Sequence, residues 1–386
     1  MTTKTIGITG QGIVSPAGLE VDSLWSACIN NENLISNGLG YVKDSDEQKI
    51  KKYVENHEKI SPPNFYSKSL YFCLFSITKA MEEAKWSEAK QDDAILLGTT
   101  TGMLNIWETA LTNIISKADK NLSNITHQSF SSLENEIRKA LGFKGKIITF
   151  TSACSASTQA YINAYNLIKS GRATRCIVGG VEELGELTIR GFSSLKILGQ
   201  LNCKPFDQNR SGINLSEGAA FSCIEKVSLS FQGIKLLCGS TVIDSHHVTS
   251  PHPDGLGYQK SLQETLELNK LSNEDIDLIH AHGTGSHHND LCESKAISVV
   301  FGNEIPVVST KGTHGHSLAA SGAIEIALSS RMLKEQLILP NSRLEIQDKN
   351  ISINLQKTPQ RKLIRRMVKS TLGFGGINST LVLGIN

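Results

Sequence analysis

At 386 residues the chain is longer than one ordinary hydrophobic core requires, which predicts two domains or two similar halves. Hydrophobic residues make up 39% and charged residues 20%, as in an average soluble globular protein. Lys and Arg (39) nearly balance Asp and Glu (37), so charge gives no reason to expect nucleic acid or a membrane surface as the main partner.

The cysteines and the chain start bear on the compartment. Eight cysteines are scattered without a CxxC pair or the close spacing of a disulfide framework, which favours a reducing environment. The first residues contain no apolar signal-peptide region, and no stretch approaches the roughly 20 apolar residues of a spanning helix. We therefore expect a cytoplasmic protein that does not insert into a membrane.

Strand-like and helix-like segments alternate along the chain. Runs of β-branched residues are separated by longer segments of helical period, which predicts an α/β fold. Two such series follow one another, so we expect two similar halves. The predicted strands are 5–9, 94–98, 147–150, 176–179 and 235–243 in the first series, and 278–280, 307–309, 351–354, 365–372 and 379–383 in the second.

A loop-like segment separates the two series. Residues 246–257 are rich in Pro, Ser and Gly and have little periodicity, as expected of a crossover. We place the boundary at residue 248, which gives an N-terminal half of residues 1–248 and a C-terminal half of residues 249–386. Residues 44–68 are polar and weakly periodic, and are predicted to form a surface excursion.

The sharpest local feature surrounds Cys154. Small residues flank it in the segment TSACSAST, between the strand 147–150 and a predicted helix. At a helix N-terminus, unpaired backbone N–H groups and the helix dipole favour a thiolate. Such a position suits a covalent nucleophile. A free cysteine is more commonly a core residue, which is what we expect of the other seven.

Two histidine segments lie in the second half. His282 follows the strand 278–280 in the segment HAHGTGS, at a strand carboxyl end, where the sites of α/β proteins gather. His316 follows the strand 307–309 in the segment STKGTHGH and precedes a helix of small residues. Each histidine taken alone is more often structural, but together they favour a reactive Cys154.

These ordered motifs resemble those of the elongating β-ketoacyl-acyl carrier protein synthases, members of the thiolase superfamily. The resemblance covers nearly the whole chain and implies a five-layered αβαβα core of two pseudo-symmetric halves, normally in a dimer. The matching segments are the Cys154 turn, KPFD at 204–207 with Arg210, Gly212 and EGA at 217–219, HGTG at 282–285 with Asn289, Asp290 and Glu293, Lys311 with His316, Gly322 and Glu325, and GFGG at 373–376 with Asn378.

The resemblance implies a two-step reaction. An acyl carrier protein transfers its acyl group to Cys154, and a malonyl group then loses carbon dioxide and condenses with it. His282 and His316 are expected to donate N–H groups to the malonyl thioester carbonyl, where the enolate forms. The backbone N–H groups of Cys154 and Phe374 are the candidates for the oxyanion of the acyl-transfer step.

Supporting roles follow from the same resemblance. Lys311 is expected to pair with Glu325 and to tune the charge around both histidines, and Phe374 to gate the acyl pocket. No cofactor is implied beyond the phosphopantetheine of the carrier protein. No metal site is expected, because the histidine pairs at 246–247 and 287–288 fit no zinc pattern.

Further contacts are assigned by position. The carrier protein is acidic, so exposed lysines near the expected docking surface are candidates for contact. A basic run at 361–369 is expected to be a solvated strand face, part of which could also meet the carrier. The residues are Thr284 and Ser286 for the pantetheine arm, His247 and Thr249 for the active-site lining, Thr101, Met103, Trp107 and Phe192 with Phe374 for the acyl pocket, and Lys68 and Lys196 for carrier contact.

Three functions are compatible with this fold. An active condensing enzyme needs Cys154, His282 and His316, and all three are present. An inactive chain-length partner subunit usually has the nucleophile replaced. A coenzyme A-dependent thiolase needs a second cysteine near the C-terminus, and no cysteine follows Cys292. Fatty acid, polyketide and aryl polyene pathways stay open, as do a homodimer and a heterodimer with a related ketosynthase or chain-length factor.

Overall fold

The computed structural model describes residues 4–116, 129–199 and 201–386. The strands are β1 (Lys4–Val14), β2 (Leu39–Gly40), β3 (Ala94–Gly98), β4 (Lys146–Phe150), β5 (Arg175–Glu182), β6 (Leu215–Ser216), β7 (Gly218–Ser228), β8 (Lys235–Ile243), β9 (Leu278–His280), β10 (Pro306–Val308), β11 (Leu337–Ile338), β12 (Asn354–Leu355), β13 (Gln360–Arg361), β14 (Arg366–Gly373) and β15 (Ile377–Gly384). The helices are α1 (Val21–Ile29), α2 (Asp44–Asn56), α3 (Lys68–Glu83), α4 (Leu104–Ile115), α5 (Phe130–Leu141), α6 (Ala156–Lys169), α7 (Glu186–Ser194), α8 (Leu256–Asn269), α9 (His287–Phe301), α10 (Lys311–His314) and α11 (Ser321–Glu335).

The same strand topology occurs twice. The first half has the order β4-β3-β5-β7-β1 and the second has β10-β9-β14-β15-β8. Along each half the successive pairings are parallel, parallel, antiparallel and antiparallel. An antiparallel contact between Gly7 of β1 and Lys235 of β8 joins the halves into one continuous sheet. The two similar halves predicted from the sequence are therefore confirmed.

The strand repeat groups β8 with the second half, because β8 takes the place there that β1 takes in the first. The boundary predicted at residue 248 lies in the loop after β8. The sequence placed the boundary in that loop because the loop is rich in turn residues. Composition does not show which strands pair, so it could not show that β8 belongs to the second half. The segment 44–68 is not only loop: it contains α2, whose buried residues Asp46, Ile50 and Val54 recur every fourth position, as on one helix face.

Five layers stack through the molecule. The helices α6 and α11 pack against each other between the two half-sheets and contribute much of the largest apolar core. The helices α3 and α5 cover the outer face of the first half-sheet, and α8 and α9 cover that of the second. This αβαβα arrangement is the one expected from the sequence.

The close approach of α6 and α11 depends on a glycine. A Cβ added at Gly322 would lie 2.2 Å from Oγ1 of Thr158, which is far inside van der Waals contact. Both central helices are also entered through a short 3-10 turn that contains a residue with positive φ, Ala153 at 48° and Leu318 at 44°. The two turns touch each other, which places the N-terminal ends of α6 and α11 side by side.

In the part of the chain that the structure describes, no helix combines the length and apolar character needed to cross a membrane.

Candidate active site

A cavity of about 450 Å³ lies where the two central helices begin, and Cys154, His282 and His316 line it. The Sγ atom of Cys154 and one ring nitrogen from each histidine all lie within 4.8 Å of one another. Their residues are 5%, 1% and 2% exposed, so all three atoms are shielded from bulk water. The structure thus brings together three residues from distant parts of the chain that the sequence selected.

Cys154 occupies a tight corner between β4 and α6. The residue before it, Ala153, has a left-handed φ of 48°, a conformation that non-glycine residues adopt at a cost and that clusters at functional sites. Burial raises the pKa of Cys154 to about 11, although Lys311 and the backbone N–H groups of Phe374 and Cys154 act in the opposite direction. The resting group is therefore a thiol, whereas the sequence favoured a thiolate, because desolvation outweighs the helix end.

The tautomer of His316 is set by its neighbours. Its Nδ1 accepts a hydrogen bond of 3.1 Å from the backbone N–H of Leu318 and lies 2.8 Å from Oγ of Ser321. Because a backbone N–H can only donate, Nδ1 carries no proton and Nε2 must carry it. His316 therefore offers an N–H donor from Nε2.

His282 is held in the same state by a cation. The Nζ of Lys311 lies 3.3 Å from Nδ1 of His282 and donates to its carbonyl oxygen at 2.7 Å. An ammonium can only donate, so Nδ1 again accepts and Nε2 bears the proton. Burial, reinforced by Lys311, lowers the pKa of both His282 and His316 well below the ordinary value, so both rings are neutral.

This arrangement also bears on metal binding. A cysteine and two histidines within 4.8 Å could in principle hold an ion. A metal needs the lone pair of the ring nitrogen that faces it. Here each Nδ1 is occupied by a donor, so each Nε2 carries a proton and has no free lone pair. The residues are therefore arranged to donate hydrogen bonds to a substrate oxygen and do not fit a metal.

Behind the histidines lies a buried ion cluster. Glu325 pairs with Lys311 through Oε1 and lies 2.8 Å from the Nζ of Lys369 through Oε2. Burial opposes ionisation of Glu325, but the two lysines hold its pKa below the usual range. The sequence predicted the first of these pairs. It missed Lys369, which was expected on a solvated strand face and is fully buried.

Two carboxylates on α9 hold the loop that carries His282. Glu293 accepts from the backbone N–H groups of His282 at 2.6 Å and Gly283 at 2.7 Å. Asp290 accepts from Thr284 at 3.1 Å and, through its other oxygen, from Phe206 at 2.7 Å. The sequence singled out these carboxylates as motif residues without a role. Their spacing of three on one helix face was the available signal.

Other predicted residues line the cavity. Phe192 and Phe374 stack with ring centroids 5.7 Å apart and an angle of 15° between their planes, beside Cys154. Thr284, Ser286 and Thr249 supply hydroxyl groups to the lining, and of these Ser286 and Thr249 are partly exposed. The exposed Lys196 also belongs to the lining.

Three predicted acyl-pocket residues do not line this cavity. The Oγ1 of Thr101 donates to the buried carboxylate of Glu182 at 2.6 Å. Met103 belongs to the core beneath α3, and Trp107 lies partly buried in α4. The loop after β3 thus turns towards Glu182 and the first-half core, so the geometry does not support an acyl-pocket role for these three residues in this conformation.

Two further assignments are not supported by the geometry. His247 is exposed and does not line the cavity, although its Nδ1 accepts from the N–H of Thr249 at 3.1 Å and so positions a residue that does. The ammonium of Lys68 lies 2.6 Å from Glu47 and 3.0 Å from Glu217, which is buried. A lysine committed to two internal carboxylates is poorly placed to meet a carrier protein.

Comparison with known proteins identifies the family. Residues 3–229 match the beta-ketoacyl synthase, N-terminal domain, and residues 236–345 match the beta-ketoacyl synthase, C-terminal domain. The chain belongs to the β-ketoacyl synthase family. The predicted family, its thiolase-like fold and the enzyme class, an acyltransferase, are thereby confirmed.

Individual members of the family align over the whole chain. The 3-oxoacyl-[acyl-carrier-protein] synthase 2 of Synechocystis sp. is 28% identical and covers 98% of this chain and 97% of its own length. The protein of the same name from Staphylococcus aureus is 26% identical, with 98% of each chain covered.

Solved structures of the family superpose closely. The ishigamide ketosynthase/chain length factor matches with a TM-score of 0.89 at 21% identity, covering 99% of both chains. A ketosynthase of Xenorhabdus doucetiae, solved in complex with its chain length factor, matches with a TM-score of 0.85 at 25% identity and covers 99% of this chain and 98% of that one.

Proposed function

We propose that this chain is an active condensing enzyme that elongates an acyl group held on Cys154 with two carbons from malonyl-acyl carrier protein. The observation that carries the proposal is the buried thiol facing two neutral imidazoles, each of which offers an N–H donor. An inactive chain-length partner would not need these three groups together. Relatives named as 3-oxoacyl-acyl carrier protein synthases support the same activity.

The first step loads the enzyme. Sγ of Cys154 bonds to the thioester carbon of the acyl carrier protein, the bond to the pantetheine sulfur breaks, and the thiol proton passes to that departing sulfur. The transient oxyanion would lie near the backbone N–H groups of Cys154 and Phe374, which already act on Sγ. Such fixed donors stabilise the charge without reorganisation.

The second step forms the new carbon–carbon bond. The malonyl carboxylate leaves as carbon dioxide, and its bonding electrons form an enolate at the thioester carbonyl. The Nε2–H groups of His282 and His316 would bind that enolate oxygen. The enolate carbon then attacks the acyl carbon on Cys154 and the Sγ–carbon bond breaks. The thiolate that leaves takes up a proton from the solvent, so the condensation consumes one proton overall.

The cavity wall suits the arm of a carrier protein. Thr284, Ser286 and Thr249 place hydroxyl groups along the route outward, where they can hydrogen bond to the amides of phosphopantetheine. Lys196, at the exposed end, would face an acidic carrier. The reaction as written needs no cofactor beyond that arm, and we place it in the cytoplasm, where soluble carrier proteins operate.

We further propose that the chain forms a dimer through β4. This strand ends the sheet of described strands, and Ile147, Ile148 and Phe150 are only partly buried. An apolar edge strand is a template for pairing with another chain. A second copy, or a related chain-length factor as in the Xenorhabdus doucetiae complex, would supply the matching edge. Fatty acid and polyketide or aryl polyene synthesis are both served by such dimers.

One experiment tests the activity and the substrate class together. The protein is incubated with acyl carrier proteins that carry acyl groups of different length and aromaticity, and the intact protein is weighed. We expect a covalent acyl adduct that disappears in Cys154→Ala and persists in Cys238→Ala, which removes a partly buried cysteine outside the cavity. The proposal would be contradicted if Cys154→Ala still formed the adduct, or if the wild-type protein formed no adduct with any of the acyl groups.

A further inference from the structure

Lys369 is a buried lysine whose position the activity described so far does not explain. It lies in the middle of β14, which pairs with β9 on one side and β15 on the other, and it is 0% exposed. Its Nζ donates to the carbonyl oxygen of Ser370 and, at 3.4 Å, to that of His280. The same Nζ lies 2.8 Å from Oε2 of Glu325.

Glu325 therefore lies between two ammonium groups. Lys311 approaches one carboxylate oxygen and Lys369 the other, and all three side chains are fully buried. Glu325 offsets one of these cations, and Glu293 is the further carboxylate that acts on Lys369. Burying an unmatched charge costs stability. Lys311 alone would balance the negative charge of Glu325, so charge balance at Glu325 does not explain why Lys369 is buried there.

The cluster reaches the reaction centre through Lys311. Glu325 orients the Lys311 ammonium, which donates to the carbonyl oxygen of His282 and lies 3.3 Å from its Nδ1. That contact keeps the proton of His282 on Nε2, facing the cavity. The positively charged Lys311 thus lies directly behind His282, and Lys369 lies behind Lys311 on the other side of Glu325.

We propose that Lys369 is a positioning residue for the condensation step: it fixes Glu325 and thereby Lys311 and the donor tautomer of His282, and its charge favours the enolate. The inference rests on the proposed function, because it needs a step in which negative charge develops beside His282. Lys369 does not touch the substrate and acts through its neighbours.

The charges around Lys369 make its effect depend on pH. Burial lowers the pKa of Lys369 to about 8, against the opposing pull of Glu325. Below that pH Lys369 carries a positive charge, and above it Lys369 is neutral, so the surroundings of Glu325 become less positive as the pH rises. The titratable and charged groups that act on it are Glu325 on α11, Lys311 and His314 on α10, Glu293 on α9, His280 on β9, and the two site histidines His282 and His316.

Apart from Lys311, those neighbours contribute little positive charge of their own. Burial lowers the pKa of His314 to about 4 and that of His280 well below its ordinary value, so both rings are neutral near pH 8. Burial raises the pKa of Glu293 to about 7, so this group is largely ionised before Lys369 loses its proton. Lys369 and Glu293 both act on this cluster, and the Lys369 variants isolate the contribution of the lysine.

The test measures the second step alone. Wild type, Lys369→Met and Lys369→Arg are first acylated on Cys154 with hexanoyl-pantetheine, and product formation with malonyl-pantetheine is then followed in a single turnover between pH 6 and about pH 9.5. Small thioesters remove carrier docking from the comparison. Lys362→Met serves as the matched control, because Lys362 belongs to the same basic run and is exposed.

We expect the wild-type rate to fall as pH rises through about 8. Lys369→Met should be acylated normally, condense about 10- to 100-fold more slowly near pH 7 and show no such fall, since misplaced catalytic donors cost rates of this order. Lys369→Arg stays charged, so its rate should hold above pH 8. Lys362→Met should match wild type throughout.

Other outcomes overturn the inference. Lys369→Met with the rate and pH profile of wild type would do so, as would equal losses in acylation and condensation, which indicate a purely structural role. If Lys369→Met does not fold, Lys369→Arg decides: a fall above pH 8 like that of wild type rules the inference out. A wild-type enzyme that gives no product contradicts the proposed function itself, and that failure is visible without any variant.

Discussion

At the reaction centre, the chemical state of each side chain depends on its neighbours more than on its type. Cys154 sits at the start of a helix, yet burial leaves it a thiol with a pKa raised to about 11. His282 and His316 are neutral because burial and Lys311 lower their pKa values, and contacts at Nδ1 decide which nitrogen carries the proton. The sequence motifs identified these three residues, but their protonation states depend on the burial and hydrogen bonds that only the structure shows.

Substituting either site histidine should impair the condensation step and spare the acylation of Cys154. We expect His282→Ala and His316→Ala to accept an acyl group on Cys154 but to lose malonyl decarboxylation by about 100-fold or more, since each removes a donor to the enolate oxygen. Intact mass and carbon dioxide release report the two steps. His246→Ala, which alters an exposed ring outside the cavity, should leave both unchanged. Variants that cannot be acylated would show that a histidine acts earlier, as a base.

We expect the Cys154 thiol to lose its proton only at high pH. Because burial raises the pKa of Cys154 to about 11, the thiolate fraction grows with pH throughout the neutral range. The rate of alkylation by iodoacetamide should therefore rise about tenfold for each pH unit between pH 7 and roughly 10. Cys154→Ala corrects for reaction at the other cysteines. A rate that levels off below about pH 8 would mean that the resting group is already a thiolate, as a helix terminus alone would favour.

At the scale of helices and strands, pattern predicted most elements and tertiary pairing explains the exceptions. The strands β3 and β8 have the predicted bounds, and β14 and β15 differ by one to two residues. The strand β7 was missed because Gly, Ala and Ser dominate its first half, where it is sandwiched between β1 and β5. Small residues lack the β-branched signal, but the close packing there requires them.

The contact between α6 and α11 is open to a stability test. Gly322→Ala places a Cβ 2.2 Å from Oγ1 of Thr158 on the facing helix, so one helix must shift. We expect a loss of about 1–3 kcal/mol in unfolding free energy, typical of overpacking. Gly191→Ala is the matched control, because its Cβ meets nothing within 4 Å on α7 and should stabilise the protein. Urea unfolding measures both, and an unchanged midpoint for Gly322→Ala would contradict the packing described.

For the whole molecule, one repeated topology explains where the site lies. In each half a strand leads to a 3-10 turn and then a central helix, directly after β4 in the first half and by way of α10 after β10 in the second, and the two turns meet. The nucleophile comes from the turn of the first half and His316 from the approach to the turn of the second. The site therefore exists only when the two halves are packed together, so neither half can be expected to catalyse the reaction alone.

The assembly can be tested at the sheet edge. We expect the chain to sediment with twice the mass of one chain, with the β4 edges paired. Ile148→Lys puts a charge on that apolar edge, a device by which natural proteins block strand pairing, and should shift the species towards the monomer. Val299→Lys, at a residue 64% exposed on α9, should leave the mass unchanged. A wild-type monomer at micromolar concentration would contradict self-pairing and favour a different partner subunit.

From the sequence alone follow the α/β class, the two similar halves, the family and the three reactive residues, because each is encoded in short motifs and local periodicity. Only the tertiary structure decided that Lys369 is buried against Glu325, that Lys68 is internally paired, and that Thr101, Met103 and Trp107 lie away from the cavity. The physical reason is that burial and charge pairing depend on residues far apart in the chain. From sequence alone, a lysine on a solvated strand face cannot be distinguished from a lysine in a buried ion cluster, because strand pairing and helix packing determine its neighbours.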